Sequence, residues 1–157
     1  MKKAVIGLAT ILGLLLVCFL PLITGAQLPD ASYVGSKECA DCHYDLYENF
    51  TKHANKSKSD HSVRLMAPKL TTEELRECYG CHTTGYGRPG GFRSFEETPD
   101  LGHVGCEGCH GPGSIHVLTG DRADIRGSLT IEVCRPCHED ERVRVINYKP
   151  LLHAGAH

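Results

Sequence analysis

Cys39-Ala40-Asp41-Cys42-His43, Cys78-Tyr79-Gly80-Cys81-His82, Cys106-Glu107-Gly108-Cys109-His110 and Cys134-Arg135-Pro136-Cys137-His138 repeat one pattern, Cys-x-x-Cys-His, four times. Two thiols at that spacing can form thioethers to the two vinyl groups of one porphyrin, and the next residue sets an imidazole beneath the iron. The four copies use eight of the nine cysteines. They predict four covalently held haem c groups. Cys39, Cys42, Cys78, Cys81, Cys106, Cys109, Cys134 and Cys137 are the anchors, and His43, His82, His110 and His138 are the proximal iron ligands.

Other uses of paired cysteines explain less. A zinc ribbon places four Cys or mixed Cys and His ligands around one tetrahedral metal and does not require a His after every second Cys. A thioredoxin-like pair needs one CxxC in a βαβ setting. A disulfide framework suits an exported chain but leaves the four histidines without a role.

The N-terminus reads as an export signal. Lys2 and Lys3 precede an apolar run from Ala4 to Ile23, and Thr24-Gly25-Ala26 supplies the small residues a signal peptidase reads. The expected division is a signal peptide over 1–26 and a tetrahaem cytochrome c domain over 27–157. An uncleaved anchor is the alternative, since the run is about long enough to span a bilayer. Pro21 and the small-residue exit favour cleavage, so no stable membrane span is expected afterwards. Cys18 lies within the run and leaves with it, and Phe19-Leu20-Pro21 makes a poor lipoprotein site. Export agrees with haem attachment, and the expected location is periplasmic or extracellular.

Beyond Ala26, Leu, Ile, Val and Phe account for only 24 of 131 residues, too few for an ordinary globular core. A formal net charge of −2 over the full chain does not mark a charged disordered segment or a nucleic-acid binder. The chain instead has four large apolar macrocycles to wrap, each a staple for a small domain. The expected fold is mainly α with extensive irregular loops, organised around the four haems. One helix is expected from a Ser36 cap through Cys39 to about Phe50, with Cys42, Leu46 and Phe50 on one face. Thr71-Thr72-Glu73-Glu74 resembles a capping box opening a helix that carries Cys78 and Cys81. Residues 85–99 read as an ordered loop, and Gly111-Pro112-Gly113-Ser114 as a turn into a short helix bearing His116. A last helix is expected over about 131–145, with Pro136 perturbing its early turns.

Six histidines remain for the distal iron positions. Bis-His ligation closes both faces of an iron and suits electron transfer, whereas an open position admits a small molecule. His53 and His116 rank first, each too close in sequence to the preceding motif to fold back onto its own haem. His153 and His157 come next, at a terminus that ligation would tie down. His61 and His103 rank last. Glu107 and Tyr79, inside the motifs, are expected to serve local hydrogen bonding or packing. Lys52, Lys56 and Lys58 read as a solvated face that could also offset haem propionates.

Tyr33-Val34-Gly35-Ser36, His53-Ala54, Cys81-His82-Thr83-Thr84-Gly85-Tyr86-Gly87 and the run Val104 to Ser114 through His116 resemble the cytochrome c552/c554 domain family over about residues 33–138. The resemblance implies closely packed haem pairs, multi-electron transfer and mostly bis-His ligation, and it supports His53 and His116 as distal ligands. It counts against His103, where the family often carries Asn. Some relatives from nitrifiers keep one five-coordinate haem and accept electrons from hydroxylamine oxidation, and other tetrahaem chains of this size polymerise into extracellular filaments. Three functions follow: an electron carrier between redox donor and acceptor proteins, an enzyme or enzyme partner acting on a small nitrogen compound at an open iron, and a filament subunit in which His153 or His157 ligates a haem of the next copy.

Overall fold

A computed structural model describes residues 30–138. The expected signal segment over 1–26, Cys18, His153, His157 and the expected helix beyond His138 lie outside the described residues. Among those described, the ordered elements are helices and 3-10 turns, with no strand, as the mainly α expectation requires. The helices are α1 (Ser36–Cys39), α2 (Tyr44–His53), α3 (Asp60–Met66), α4 (Thr72–His82), α5 (Cys106–His110), α6 (Ser114–Thr119) and α7 (Ile131–His138).

The helix expected from Ser36 to Phe50 is two helices. It breaks over Ala40–His43, where His43 leaves the helical region (φ −121°, ψ 43°) and caps α2. Ser36 is not the cap either. Gly35 holds that place at φ 91°, and the Ser36 hydroxyl accepts from the Cys106 N–H at 2.9 Å. The face drawn through Cys42, Leu46 and Phe50 therefore dissolves: Phe50 is buried, while Leu46 and Cys42 are exposed.

The start of α4 is as expected. Thr71 Oγ1 accepts from the Glu74 N–H at 3.3 Å, and Glu74 Oε2 accepts from the Thr71 N–H at 2.8 Å, satisfying two otherwise orphaned donors. Gly111–Gly113 leads into α6 with His116 on it. Pro136 lies within α7, which continues to His138.

The loop over 85–99 is ordered by a polar hub. Thr84, the one large fully buried side chain among the described residues, donates from its N–H to Leu101 O and accepts at its carbonyl from Phe92 N–H, each at 2.9 Å. Its hydroxyl donates to His103 O at 2.6 Å and accepts from Gly105 N–H at 2.8 Å. Gly85 turns at φ 71° with the Tyr33 ring against it, and a Cβ on Gly91 would run into the Gly85 carbonyl. Tyr79, Tyr86, Phe92 and Phe95 pack edge to face or tilted around this loop, with ring centres 5.0–6.5 Å apart. The Arg64 guanidinium lies 3.7 Å over Phe95, a cation–π contact. Apart from these rings, little apolar surface is buried: Phe50, Ala54, Val63, Leu101 and Ile115 complete the buried apolar set. So thin a core among the described residues agrees with a chain built to wrap apolar cofactors.

Candidate haem-binding site

Each motif sits at a helix end. The first spans the end of α1 and the turn before α2, the second closes α4, the third is α5 itself, and the fourth ends α7. A motif at a helix end puts its two thiols and its imidazole on neighbouring turns, facing one side. No disulfide joins any of the eight cysteines of these motifs.

The helices bring the motifs together in a definite order. The α1 helix packs on α5, and α4 on α7. The Cys39 thiol is hydrogen-bonded to Cys106, and that contact is the largest cause both of the raised Cys39 value and of the lowered Cys106 value. Burial, then the proximity and hydrogen bond of Cys81, holds the Cys137 thiol up. Burial also raises Cys109, with Cys134 and Cys106 adding to it and Lys56 opposing. The first motif's thiol thus meets the third motif's, and the fourth motif's meets the second's, as the packing of α1 on α5 and of α4 on α7 requires. Among the described residues no three His, Cys, Asp or Glu side chains converge as a metal-ion site, whereas a zinc ribbon needs four around one ion.

Three imidazoles are held in the tautomer a metal needs. His82 donates from Nδ1 to Ser59 O at 2.9 Å, His110 to Arg126 O at 2.6 Å, and His116 to Asp121 O at 2.8 Å. A proton fixed on Nδ1 leaves the Nε2 lone pair free, the arrangement by which an outer partner orients a ligating His. Ser59 does more than accept from His82. Its hydroxyl donates to His82 O at 2.8 Å and accepts from Val104 N–H at 2.9 Å, tying the second motif to the approach of the third.

His43 and His116 face each other. Their ring centres are 6.3 Å apart and the planes differ by 12°. Imidazole nitrogen binds a metal at about 2.0–2.1 Å and lies about 1.1 Å from its ring centre, so two rings ligating one metal from opposite sides stand about 6.3 Å apart. The residues next in sequence, Tyr44 and Leu46 on α2 and Val117 and Leu118 on α6, are strongly exposed, Leu118 at 75%. Apolar side chains left open beside such a gap call for an apolar cover, which a porphyrin supplies.

The third motif is the most tightly built. Glu107, at 2% exposure, accepts from the backbone N–H groups of Val34 at 3.0 Å, Gly35 at 2.7 Å and Gly113 at 2.8 Å. The Arg126 guanidinium donates to Cys109 O at 2.8 Å, and its N–H donates to His110 O at 3.2 Å. Beside this motif opens a cleft lined by Phe50, Lys56, Cys106, Cys109, His110 and Leu129.

The remaining sequence-ranked histidines are less engaged. His53 ends α2 and is exposed, as is His61 on α3. His103 is half-buried, and burial lowers its value, with Asp60 and Asp100 pulling it back. Burial lowers His138 too, and the Lys56 cation adds to the effect. The three lysines of the expected solvated face part company: Lys52 pairs with Glu48 at the surface and Lys58 is exposed, but Lys56 is half-buried against the motifs. Sequence reading placed Glu107 in local hydrogen bonding; its partners at Val34 and Gly35 are more than 70 positions away, and no local pattern points to them.

Comparison with known proteins locates the same region. The family model described as cytochrome c554 and c-prime matches residues 38–111, which takes in the first three motifs and stops short of the fourth. The cytochrome c-554 of Nitrosomonas europaea is 34% identical over 113 residues, covering 64% of this chain and 48% of the relative. The chain thus spans about half the length of the curated relative it matches. No solved structure matches.

Proposed function

We propose that this chain, similar to the c554-type cytochromes c, is an exported tetrahaem cytochrome that relays single electrons between redox proteins outside the cytoplasm. The observation that carries this reading is the pairing of the motifs, α1 packing on α5 with Cys39 against Cys106 and α4 on α7 with Cys81 against Cys137. Cofactors anchored at adjoining thiols have adjoining edges, and a row of close redox centres is what electron relay requires.

When bound, each haem supplies a one-electron iron couple. The chain's own residues do the rest. The eight motif cysteines anchor the groups, and His43, His82, His110 and His138 take the proximal iron positions. Ser59 O, Arg126 O and Asp121 O aim three imidazoles. His116 is the distal partner of His43, and His53 is the next distal ligand in rank. His61 and His103, with His153 and His157 outside the described residues, compete for the other positions. Closed iron positions keep small molecules out and hold the ligand set constant between oxidation states, which favours carriage over catalysis.

The export reading rests on residues 1–26, and among the described residues no helix is long and apolar enough to cross a membrane. The periplasm or the cell exterior is the proposed location. Electron paramagnetic resonance of the oxidised protein tests the function, combined with exposure of the reduced protein to carbon monoxide. Wholly low-spin signals and no response to carbon monoxide are expected of a carrier. A high-spin component that binds carbon monoxide would move the reading to a redox enzyme or enzyme partner acting on a small nitrogen compound. Electron micrographs of the secreted material would reveal filaments if the chain is a polymer subunit.

A further inference from the structure

One side chain of the third motif joins the approach to the first motif to the start of α6. Residues 32–36 are bonded first to α6 and then to α5. The Ser32 N–H donates to Ser114 Oγ at 2.8 Å, and the Ser114 N–H donates back to Ser32 O at 3.1 Å. The Ser36 hydroxyl accepts from the Cys106 N–H at 2.9 Å. Between these bonds lies Glu107. Its Oε2 accepts from the Gly35 N–H at 2.7 Å, and its Oε1 from Val34 at 3.0 Å. The same Oε1 accepts at 2.8 Å from the N–H of Gly113, the residue that caps α6. Beyond Gly35 the chain runs through α1 to His43, whose N–H is held by Cys39 O at 2.9 Å. Beyond Gly113, His116 lies within α6. The two segments that meet at Glu107 thus end in rings 6.3 Å apart.

We propose that Glu107 is a positioning residue for the first motif: from inside the third motif it fixes the spacing of His43 and His116, and so keeps that haem iron closed to small molecules. This rests on the reading of His116 as the distal partner of His43. Glu107 acts on the two backbone segments that carry these imidazoles, and its carboxylate is only 2% exposed. The N–H groups it binds therefore have no ready substitute in water, and loss of the acceptor leaves them unpaired. Cys106 and Cys109 flank it in sequence, so covalent attachment at the third motif would brace the same joint. The tolerance is narrow, since a metal–ligand distance holds only within about 0.2 Å. A shift of α6 by a few tenths of an ångström is enough to weaken the sixth ligand. Glutamine at this position keeps the shape but exchanges one acceptor oxygen for an NH2 donor, which then faces either the Gly35 or the Gly113 N–H.

The test is electron paramagnetic resonance of the oxidised, haem-loaded secreted protein, followed by carbon monoxide binding to its reduced form, in wild type, H116A, E107Q and the double variant. H116A is expected to turn one iron high-spin and to take up one carbon monoxide per chain. E107Q is expected to open the same iron in a fraction of the molecules, and the double variant to show no more than H116A alone. G113A probes the joint from the other side. A Cβ there would stand 3.2 Å from Glu107 Oε1, pressing α6 away while the carboxylate stays in place, and a smaller share of the same signal is expected. An E107Q protein that carries all its haems and stays wholly low-spin beside an opened H116A would overturn the inference. High-spin signals from several irons would overturn it too, since they mark a general loosening. If E107Q does not accumulate, G113A decides alone, and a wholly low-spin G113A then overturns the inference. A low-spin H116A would instead remove the reading of His116 as a ligand, and the inference with it.

Discussion

The third and fourth motifs share one pattern yet are built in opposite ways. Around the third, the polypeptide supplies its own frame: three N–H bonds to buried Glu107, the Arg126 clamp on Cys109 O and His110 O, and the Ser36 hydroxyl on Cys106 N–H. The fourth, on α7, has no buried residue. Among its contacts are an exposed Arg135–Glu132 pair at 3.2 Å, the Val133 N–H to Thr130 O, and the long Cys81 approach to Pro136 O. The family match ends at residue 111 and omits this motif. The difference teaches that a haem-attachment sequence specifies chemistry, whereas the rigidity of its site comes from elsewhere in the chain. One motif is framed by buried polar contacts, and the other lies on a helix without a buried residue.

Removing haem altogether should have the largest effect on that contrast. The haem-free chain, with so few buried apolar side chains, is expected to lose most of its helical circular dichroism, because cofactor binding and folding are coupled. Any amides still protected from hydrogen exchange should belong to α5 and the Thr84 hub, and none to α7. A cooperative, near-native haem-free fold would break the comparison.

Next in size is E107A. Three backbone N–H groups lose their acceptor, and each buried orphan costs about 1–3 kcal/mol, so the denaturation midpoint of the holoprotein should fall steeply. Replacing both Cys134 and Cys137 by Ser should be milder. The secreted protein should carry three haems and keep the helices α1 to α6, whereas the same change at Cys106 and Cys109 should abolish accumulation. Equal losses at the two motifs would erase the distinction drawn between them. Smallest is T71A at the start of α4, remote from both motifs, where loss of an N-cap Thr costs about 1 kcal/mol and should shift the midpoint without changing the haem spectrum.

How much could be read in advance depended on whether the cause was local. The capping box at Thr71, the Gly111–Gly113 turn into α6 and the four attachment motifs all lie within a few consecutive residues, and each was legible. The split between α1 and α2 was not, because helical spacing runs through Cys42 and Leu46 while the motif itself turns the chain at His43. The polar hub at Thr84 and the long-range bonds of Glu107 were illegible for a different reason. Their partners, Leu101 and His103 for one, Val34 and Gly35 for the other, are set by tertiary contact that a single sequence does not encode as a pattern. His116, ranked high from its distance to His110, stacks at 6.3 Å on the ring of another motif's His43, a neighbour that no local pattern names. The lysines show the converse, since three similar residues in one stretch have different surroundings and only Lys56 turns toward the motifs.

The central claim is that four covalent haems occupy the four motifs, and intact mass spectrometry of the secreted protein under denaturing conditions tests it most directly. The account predicts a mass equal to the chain after signal removal plus four haems, falling by one haem when Cys134 and Cys137 are replaced. A mass showing fewer haems in the wild type, or zinc or disulfides in their place, would contradict it.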